Sequence, residues 1–315
     1  MVVTTTGNGV PRGTHTHALI QMALVCANLL WVGGTVASKY ILYKVPCLAY
    51  AQIRVSGAAL CFAVLYFAWR RRPRLDWRAL DWKSLMVLAV TGSSLNHMLF
   101  FVGLTRTSVL HSVLIISLGP VVVLAMACLL RLEELTVLKF VGMLVSFGGV
   151  AALTMRASGM GNGGQLAGDL ILLLTTWVSA FYAIQLKKVS DRYDAVTLNM
   201  LAFGLGSLFM LPFSGPGLLH LPWAAIPGRV WWMVVYVVFF GTFLGFLILV
   251  VAMVKLTVSR VAAFGYLQPF FGILLAIGFL GERLSARVVV GGALILLGVY
   301  LTERNGEPRP EEVAP

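Results

Sequence analysis

Residues 281–299 read GERLSARVVVGGALILLGV, and residues 132–150 read LEELTVLKFVGMLVSFGGV. A shift of 149 positions sets Glu133 on Glu282, Leu135 on Leu284, Gly142 on Gly291, Gly149 on Gly298 and Val150 on Val299 without a gap. The same shift extends upstream, carrying Gly92 to Gly241, Ser93 to Thr242, Leu95 to Leu244, Leu118 to Leu267 and Pro120 to Pro269. A slightly different shift brings Trp31 to Trp177. Apolar runs match one another by chance at Leu and Val. Shared prolines, glycines and an acidic turn do not, so the chain holds two copies of one unit.

Composition says where those copies reside. Apolar residues make up 59% of 315 and charged residues 11%, and the mean hydropathy is +0.90. Soluble domains carry about 25% charged residues. Such a chain cannot cover itself with polar groups in water and belongs in a membrane. A helix needs about 20 mostly apolar residues to cross the hydrocarbon. Ten stretches qualify: 18–38, 48–69, 84–104, 109–130, 138–155, 168–187, 195–213, 230–252, 259–280 and 287–302. The short alternating segments of a barrel are not seen, and only helices or closed barrels satisfy their backbone in lipid. The predicted fold is therefore an all-α polytopic membrane protein with ten transmembrane helices. The start at 18–32, followed by Thr35-Val36-Ala37, weakly resembles a cleavable signal; nine further spans and Lys39 make it the first helix.

Five helices per copy is an odd number, so the second copy crosses upside down. This predicts inverted repeats at 18–155 and 168–303, a Gly-rich linker at 156–167, and tails at 1–17 and 304–315. Inverted repeats recur in secondary transporters because the halves can exchange conformations and open to alternate sides. Lys and Arg number sixteen on the side of the termini and seven on the other, which places both termini in the cytoplasm. The net charge of +12 is then topology and contact with anionic lipid, and it excludes a nucleic-acid reading.

Other motifs dissolve in context. GMGNGG at 159–164 fits G-x-G-x-x-G at Gly159, Gly161 and Gly164, but between two spans it reads as a linker. No Walker-type glycine loop occurs, so ATP-driven pumping has no support. Cys26, Cys47, Cys61 and Cys128 show no metal or disulfide spacing and read as small apolar fillers. His15 and His17 read as solvated tail residues. No metal site, cofactor or catalytic grouping is expected, and the chain is read as a non-enzyme. The acidic residues all fall in loops, at span ends or in the tail, which argues against a carboxylate proton relay.

The candidate site comes from polar residues at depth and from where the copies disagree. TGSSLNHMLF in the third span faces FGTFLGFLIL in the eighth, so Asn96-His97 becomes Gly245-Phe246. Needs of the fold should be common to both copies, which makes the unshared pair the place for substrate chemistry. Successive helical residues are separated by about 100°, so at least one of Asn96 and His97 should face a cavity. The bland alternative is an interhelical hydrogen bond. Arg54 either snorkels outward or attracts an anionic group, while Lys39 snorkels easily. Trp31, Tyr182, Gln185 and Gln268 are candidates to complete a substrate pocket. Pro120, with Gly119, and Pro269 sit near mid-span as hinges or as packing kinks.

These same residues carry a resemblance. TSVLHSVLIISLGPVVVLAMACLLRLEELTVLKFVGMLVSFGGVAAL (107–153), its echo TVSRVAAFGYLQPFFGILLAIGFLGERLSARVVVGGALILLGV (257–299) and LLWVGGTVASKY (29–40) resemble the paired EamA-type domains of the drug/metabolite transporter superfamily. Glu133-Glu134 departs from the usual Gly-Glu of that pattern. The resemblance implies a ten-helix carrier with a central cavity, and members that export amino acids, drugs and other metabolites or carry nucleotide sugars and sugar phosphates. The expected protein is an exporter of small polar metabolites, amino acids first, working by alternating access in a bacterial inner membrane. A nucleotide-sugar or sugar-phosphate exchanger is the alternative, and a channel or scramblase the competing class. Its expected partners are a small-molecule substrate and membrane lipid, without nucleic acid or ATP, and the expected unit is a monomer.

Overall fold

Without water in the hydrocarbon layer, each peptide group must bond within its own helix, and the apolar runs comply. The computed structural model describes residues 12–68, 78, 80–130, 135–154, 163–256, 258, 261 and 264–303. Residues 1–11, Glu133-Glu134, Gly159 and Gly161 of the linker, and the tail 304–315 lie outside them. The helices are α1 (Arg12–Ile41), α2 (Cys47–Ala68), α3 (Trp82–Arg106), α4 (Val109–Leu129), α5 (Val137–Thr154), α6 (Gly163–Val189), α7 (Ala195–Leu219), α8 (Gly228–Lys255), α9 (Leu267–Leu280) and α10 (Ala286–Glu303). Seven are long and apolar enough to cross a membrane, while α5, α9 and α10 are shorter apolar helices. Backbone helix begins at Arg12, so the segment carrying His15 and His17 is the start of α1 rather than a loose tail.

Acidic residues hold several helix starts, where free amides and the helix dipole favour an anion. Asp81 accepts from the Ser84 amide at 3.1 Å and Asp194 from Thr197 at 2.9 Å. Hydrogen bonds from the Ser84 hydroxyl and amide hold the Asp81 carboxyl below the usual carboxylate range.

The helices interleave across the two halves. α2 lies along α7, and α5 along α10. α3 packs on α6 and α7 just as α8 packs on α1 and α2; α1 meets α9 as α6 meets α4. Exchanging each helix with the one five places on reproduces this set, the signature of a two-fold relation between halves. It holds at single residues. A Cβ on Gly57 would meet Val238, and one on Gly206 would meet the Ala89 carbonyl and Ser93; both pairs are related by the 149 shift.

Two local departures repeat in both halves. Residues Ala89–Leu95 of α3 and Val237–Leu244 of α8 are π-helical, a form frequent at functional sites. Ser94 and Thr242 hydroxyls each donate to the carbonyl five residues back, at 3.0 Å in both cases. Pro120 lies mid-span as predicted, but both prolines stand just after a break in regular helix rather than inside one. In α4 the α-helix stops at Ile116 and restarts at Gly119, with Pro120 in the new first turn. In the ninth span the segment α9 follows a 3₁₀ turn at Phe264–Tyr266, with Pro269 in its first turn, and Val258 and Val261 before that turn are helical too. A proline lacks the amide hydrogen that a helix interior needs but a first turn does not, so each proline opens a helical segment rather than bending one.

Backbone contact between α5 and α10 depends on glycine. A Cβ on Gly149 would lie 2.7 Å from the Gly291 carbonyl, and one on Gly298 would collide with Ser146 and the Gly142 carbonyl. Gly278 of α9 faces open space. Gly298→Leu is expected to lose most of the folded protein in fluorescence-detected size-exclusion chromatography, whereas Gly278→Leu elutes like the parent.

Candidate functional site

A cavity of about 280 Å³ lies where α1, α3, α4, α6, α8 and α9 converge. Its lining includes Asn96, His97, Trp31, Arg54, Tyr182 and Gln268 among the residues singled out in the sequence, together with Gly119 and Pro120. Gln185 and Pro269 are not part of it. α6 presents Thr176, Ser179, Ala180 and Ala183 to the cavity; Gln185, two residues past Ala183, is turned about 200° away. Pro269 is buried in the first turn of α9. Its effect is felt one turn back, because it cannot donate to the Gly265 carbonyl, just as Pro120 cannot donate to Ile116. Ile116 and Gly265 both line the cavity.

Arg54 does not snorkel. It is 7% exposed, its Nε donates to Thr242 Oγ1 of α8 at 2.5 Å, and its guanidinium lies 5.3 Å from the centre of the Phe101 ring. Among the described residues no carboxylate forms an ion pair with it. Guanidinium carries five N–H donors, and a buried, uncompensated charge costs on the order of several kcal/mol. Lys39, read as a snorkelling residue, is instead tied down, with Nζ 2.7 Å from the carbonyls of both Leu104 and Thr107.

Asn96 and His97 both line the cavity, with different partners. The Asn96 amide donates to Ser179 Oγ on α6. His97 is buried, with Nδ1 3.2 Å from the Gly92 carbonyl. With Nδ1 donating to that carbonyl, Nε2 is an acceptor. The unshared residues of the two copies meet here, since the His97 and Phe246 rings are 5.8 Å apart and Phe203 packs edge-on against both. Gly245 stands where Asn96 stands in the other half, and the Trp31 indole occupies its missing side chain, Nε1 lying 2.5 Å from a Cβ built there. Tyr182 lies over Gly92 of the first half, one turn before Asn96.

The two-fold relation also pairs Arg54 with Phe203 and Thr242 with Ser93. Thr242 accepts from Arg54, whereas Ser93 Oγ is buried without a partner. The cationic donor is thus written into one half only. Asn28, missed in the sequence, accepts from Gln268 Nε2 at 2.7 Å and lines the cavity with Thr35, Thr175, Thr176 and Ser179. A single amide three residues before Trp31 was the available signal for Asn28; the hydroxyls offered none.

At the end of the bundle away from the termini, polar side chains join the halves. Asp169 of α6, read as a span-end residue, is only 1% exposed. Its carboxylate accepts from Thr107 Oγ1 at 2.5 Å and lies 2.9 Å from His111 Nδ1. Glu282 accepts from the Val109 and Leu110 amides at 2.8 and 2.9 Å, closing over the start of α4.

Comparison with known proteins agrees with this architecture. The EamA-like transporter family matches over residues 18–155 and 166–304. An uncharacterized transporter of Archaeoglobus fulgidus is 27% identical over 284 residues, 90% of this chain and 98% of its own. A probable terminal-alkyne amino-acid exporter of Streptantibioticus cattleyicolor is 26% identical, with 93% and 96% covered. A solved crystal structure has the same fold, with a TM-score of 0.64 and 19% identity, covering 90% of this chain and 96% of its own. Ten interleaved helices in two repeats, a polar cavity at their meeting point and these matches have one reading: the chain is an integral membrane protein of the EamA-like transporter family.

Proposed function

We propose that this transporter exports small carboxylate-bearing metabolites, amino acids first, by alternating access around the central cavity. The observation that carries this reading is the buried guanidinium of Arg54, which lines the cavity with no carboxylate partner among the described residues. A substrate carboxylate supplies the missing counter-charge through charge-assisted hydrogen bonds. Acceptors stand nearby for an amine: His97 Nε2, the Asn28 and Asn96 amides, and the backbone where Pro120 and Pro269 withhold a donor. A volume of about 280 Å³ is at the small end of ligand pockets, roughly 300–1,000 Å³. That favours an amino acid over a nucleotide sugar. One relative is named a probable terminal-alkyne amino-acid exporter, in line with this class.

In this reading residues 18–155 and 168–303 are the two moving repeats and 156–167 their linker. Both termini face the cytoplasm of a bacterial cell, and one chain makes the whole site. His97 and Phe246 meet at the axis, so relative motion of the halves changes their contact at every cycle.

In proteoliposomes loaded with a panel of radiolabelled neutral amino acids, Arg54→Met is expected to lower exchange by roughly 10- to 100-fold, the loss of a charge-assisted hydrogen bond; Arg54→Lys keeps part of it. Exclusive transport of cationic dyes by the parent would overturn the substrate class. In the same assay His97→Ala abolishes or redirects transport, while Phe246→Ala chiefly changes its rate. Unchanged affinity and specificity in a folded His97→Ala protein would move the site elsewhere.

A further inference from the structure

We propose that His111 is a proton-binding site on the gate away from the termini, and that a proton bound there locks that gate shut. The inference rests on the two-gate reading above and adds a second ligand at a second place. The cavity reaches towards the termini: Leu24 of α1, Met253 of α8, and Val258 and Val261, which precede α9, line it. At the opposite end the halves are held together by side chains. Asp169 of the second half bonds Thr107 and His111 of the first, and Glu282 of the second bonds the Val109 and Leu110 amides of the first. Opening this mouth must break all four contacts.

His111 makes the clasp responsive. With a neutral ring, Nδ1–H donates to Asp169, and Nε2 accepts from Gln165 Nε2 at 3.4 Å. A proton on Nε2 turns the first contact into an ion pair, and Gln165 can turn its amide oxygen to meet the new N–H. His111 is 9% exposed, so water screens this attraction little while the mouth is closed. Once the mouth is open the attraction is lost. A ligand that interacts better with one state draws the population there, so the proton favours closure. The other charged groups around the pair are Lys39, held on Leu104 and Thr107 and within electrostatic reach of Glu282; Glu282 itself, occupied by two amides; and Arg106, exposed beside Gly168. None of them contacts the imidazole.

The second repeat holds no copy of this device at the other end. The α1 positions that correspond to Asp169, residues 20–23, are Ile, Gln, Met and Ala. At the termini end an ion pair that joins the halves among the described residues, Arg192 with Asp81 at 3.4 Å, is solvent-exposed, and such pairs contribute little. Among the described residues, no second carboxylate–imidazole pair joins the halves. A proton taken up on that side turns the carrier towards the other.

The test needs no substrate. Nitroxide labels on Thr105→Cys and Leu284→Cys, with Cys26, Cys47, Cys61 and Cys128 replaced by serine, report the width of the mouth by double electron–electron resonance in nanodiscs. Between about pH 8 and about pH 5.5, which spans the histidine range, the ratio of short to long distances should rise by roughly fivefold, the gain from charging one hydrogen bond. His111→Gln should flatten this response, and Asp169→Asn should flatten it and favour the long distance. A parent response of opposite sign, or an undiminished one in His111→Gln, overturns the proposal. Two populations in a ratio independent of pH also overturn it but leave the alternating carrier intact. A single short distance at every pH sinks both.

Discussion

No water reaches the hydrocarbon core to satisfy a stray peptide group, and the whole architecture follows from that constraint. Irregular backbone is tolerated at depth only where protein or a polar cavity takes the place of solvent. The repeated irregularities of this chain obey the rule together. The π-helical turns of α3 and α8 hand carbonyls to the Ser94 and Thr242 hydroxyls. The proline-opened segments of α4 and α9 leave acceptors at Ile116 and Gly265, two cavity-lining residues. Regular helices could be packed without any of these features. The proline-opened segments border the void, whereas of the π-helical residues only Gly92 lines it and others pack on Gly57 and Gly206.

A two-fold scaffold provides two equivalent gates, but a site exactly on its axis would present the same groups twice. An amino acid has a carboxylate at one end and an amine at the other. The chain breaks its symmetry at the positions such a molecule would touch. Arg54 is matched by Phe203, Asn96 by Gly245, and His97 by Phe246. The consequences are local and legible: Thr242 has a cationic donor, while Ser93 keeps an unpartnered buried hydroxyl. Small residues in one half are filled by aromatics from the other half or its neighbour, as Trp31 does at Gly245 and Tyr182 at Gly92. Both repeats supply polar groups to the cavity, but the cationic one comes from the first alone.

Much of this was readable before any coordinates. Span positions follow from hydropathy, since a run of about 20 apolar residues has few other uses, and the ten segments agree within a few residues apart from the start of α1. Asn96 and His97 were found because a repeated sequence exposes its own exceptions. The relation of Arg54 to Phe203 was not, because α2 and α7 share too few residues to fix a register; it took the matching contacts of Gly57 and Gly206. π-helical turns have no hydrophobic period to betray them. Gln185 was misjudged because a polar residue in a span says nothing of its azimuth. Asp169 lies at a span end, where a carboxylate normally meets water, and only the fold shows that the far-end loops bury it.

Asp169 alters what the sequence implied about energetics. The lack of mid-span carboxylates argued against a proton relay through the membrane, and that argument concerns the path. A carrier needs no continuous path if the proton acts on a gate rather than crossing beside the substrate. The clasp places its one carboxylate–imidazole pair between the halves, with Thr107 bonded to the same carboxylate. Lys39 bonds the backbone carbonyl of that threonine. Lys39 and its repeat-mate Lys187 each tie two helices of their own half, to Leu104 and Met253 respectively. Other side-chain bonds cross between the halves. At the end away from the termini the bonds of Asp169 are buried, and at the other end, among the described residues, the ion pair of Arg192 with Asp81 is exposed. Two gates made from one repeated unit can differ in strength for this reason alone, and that difference is what gives a symmetric scaffold a direction.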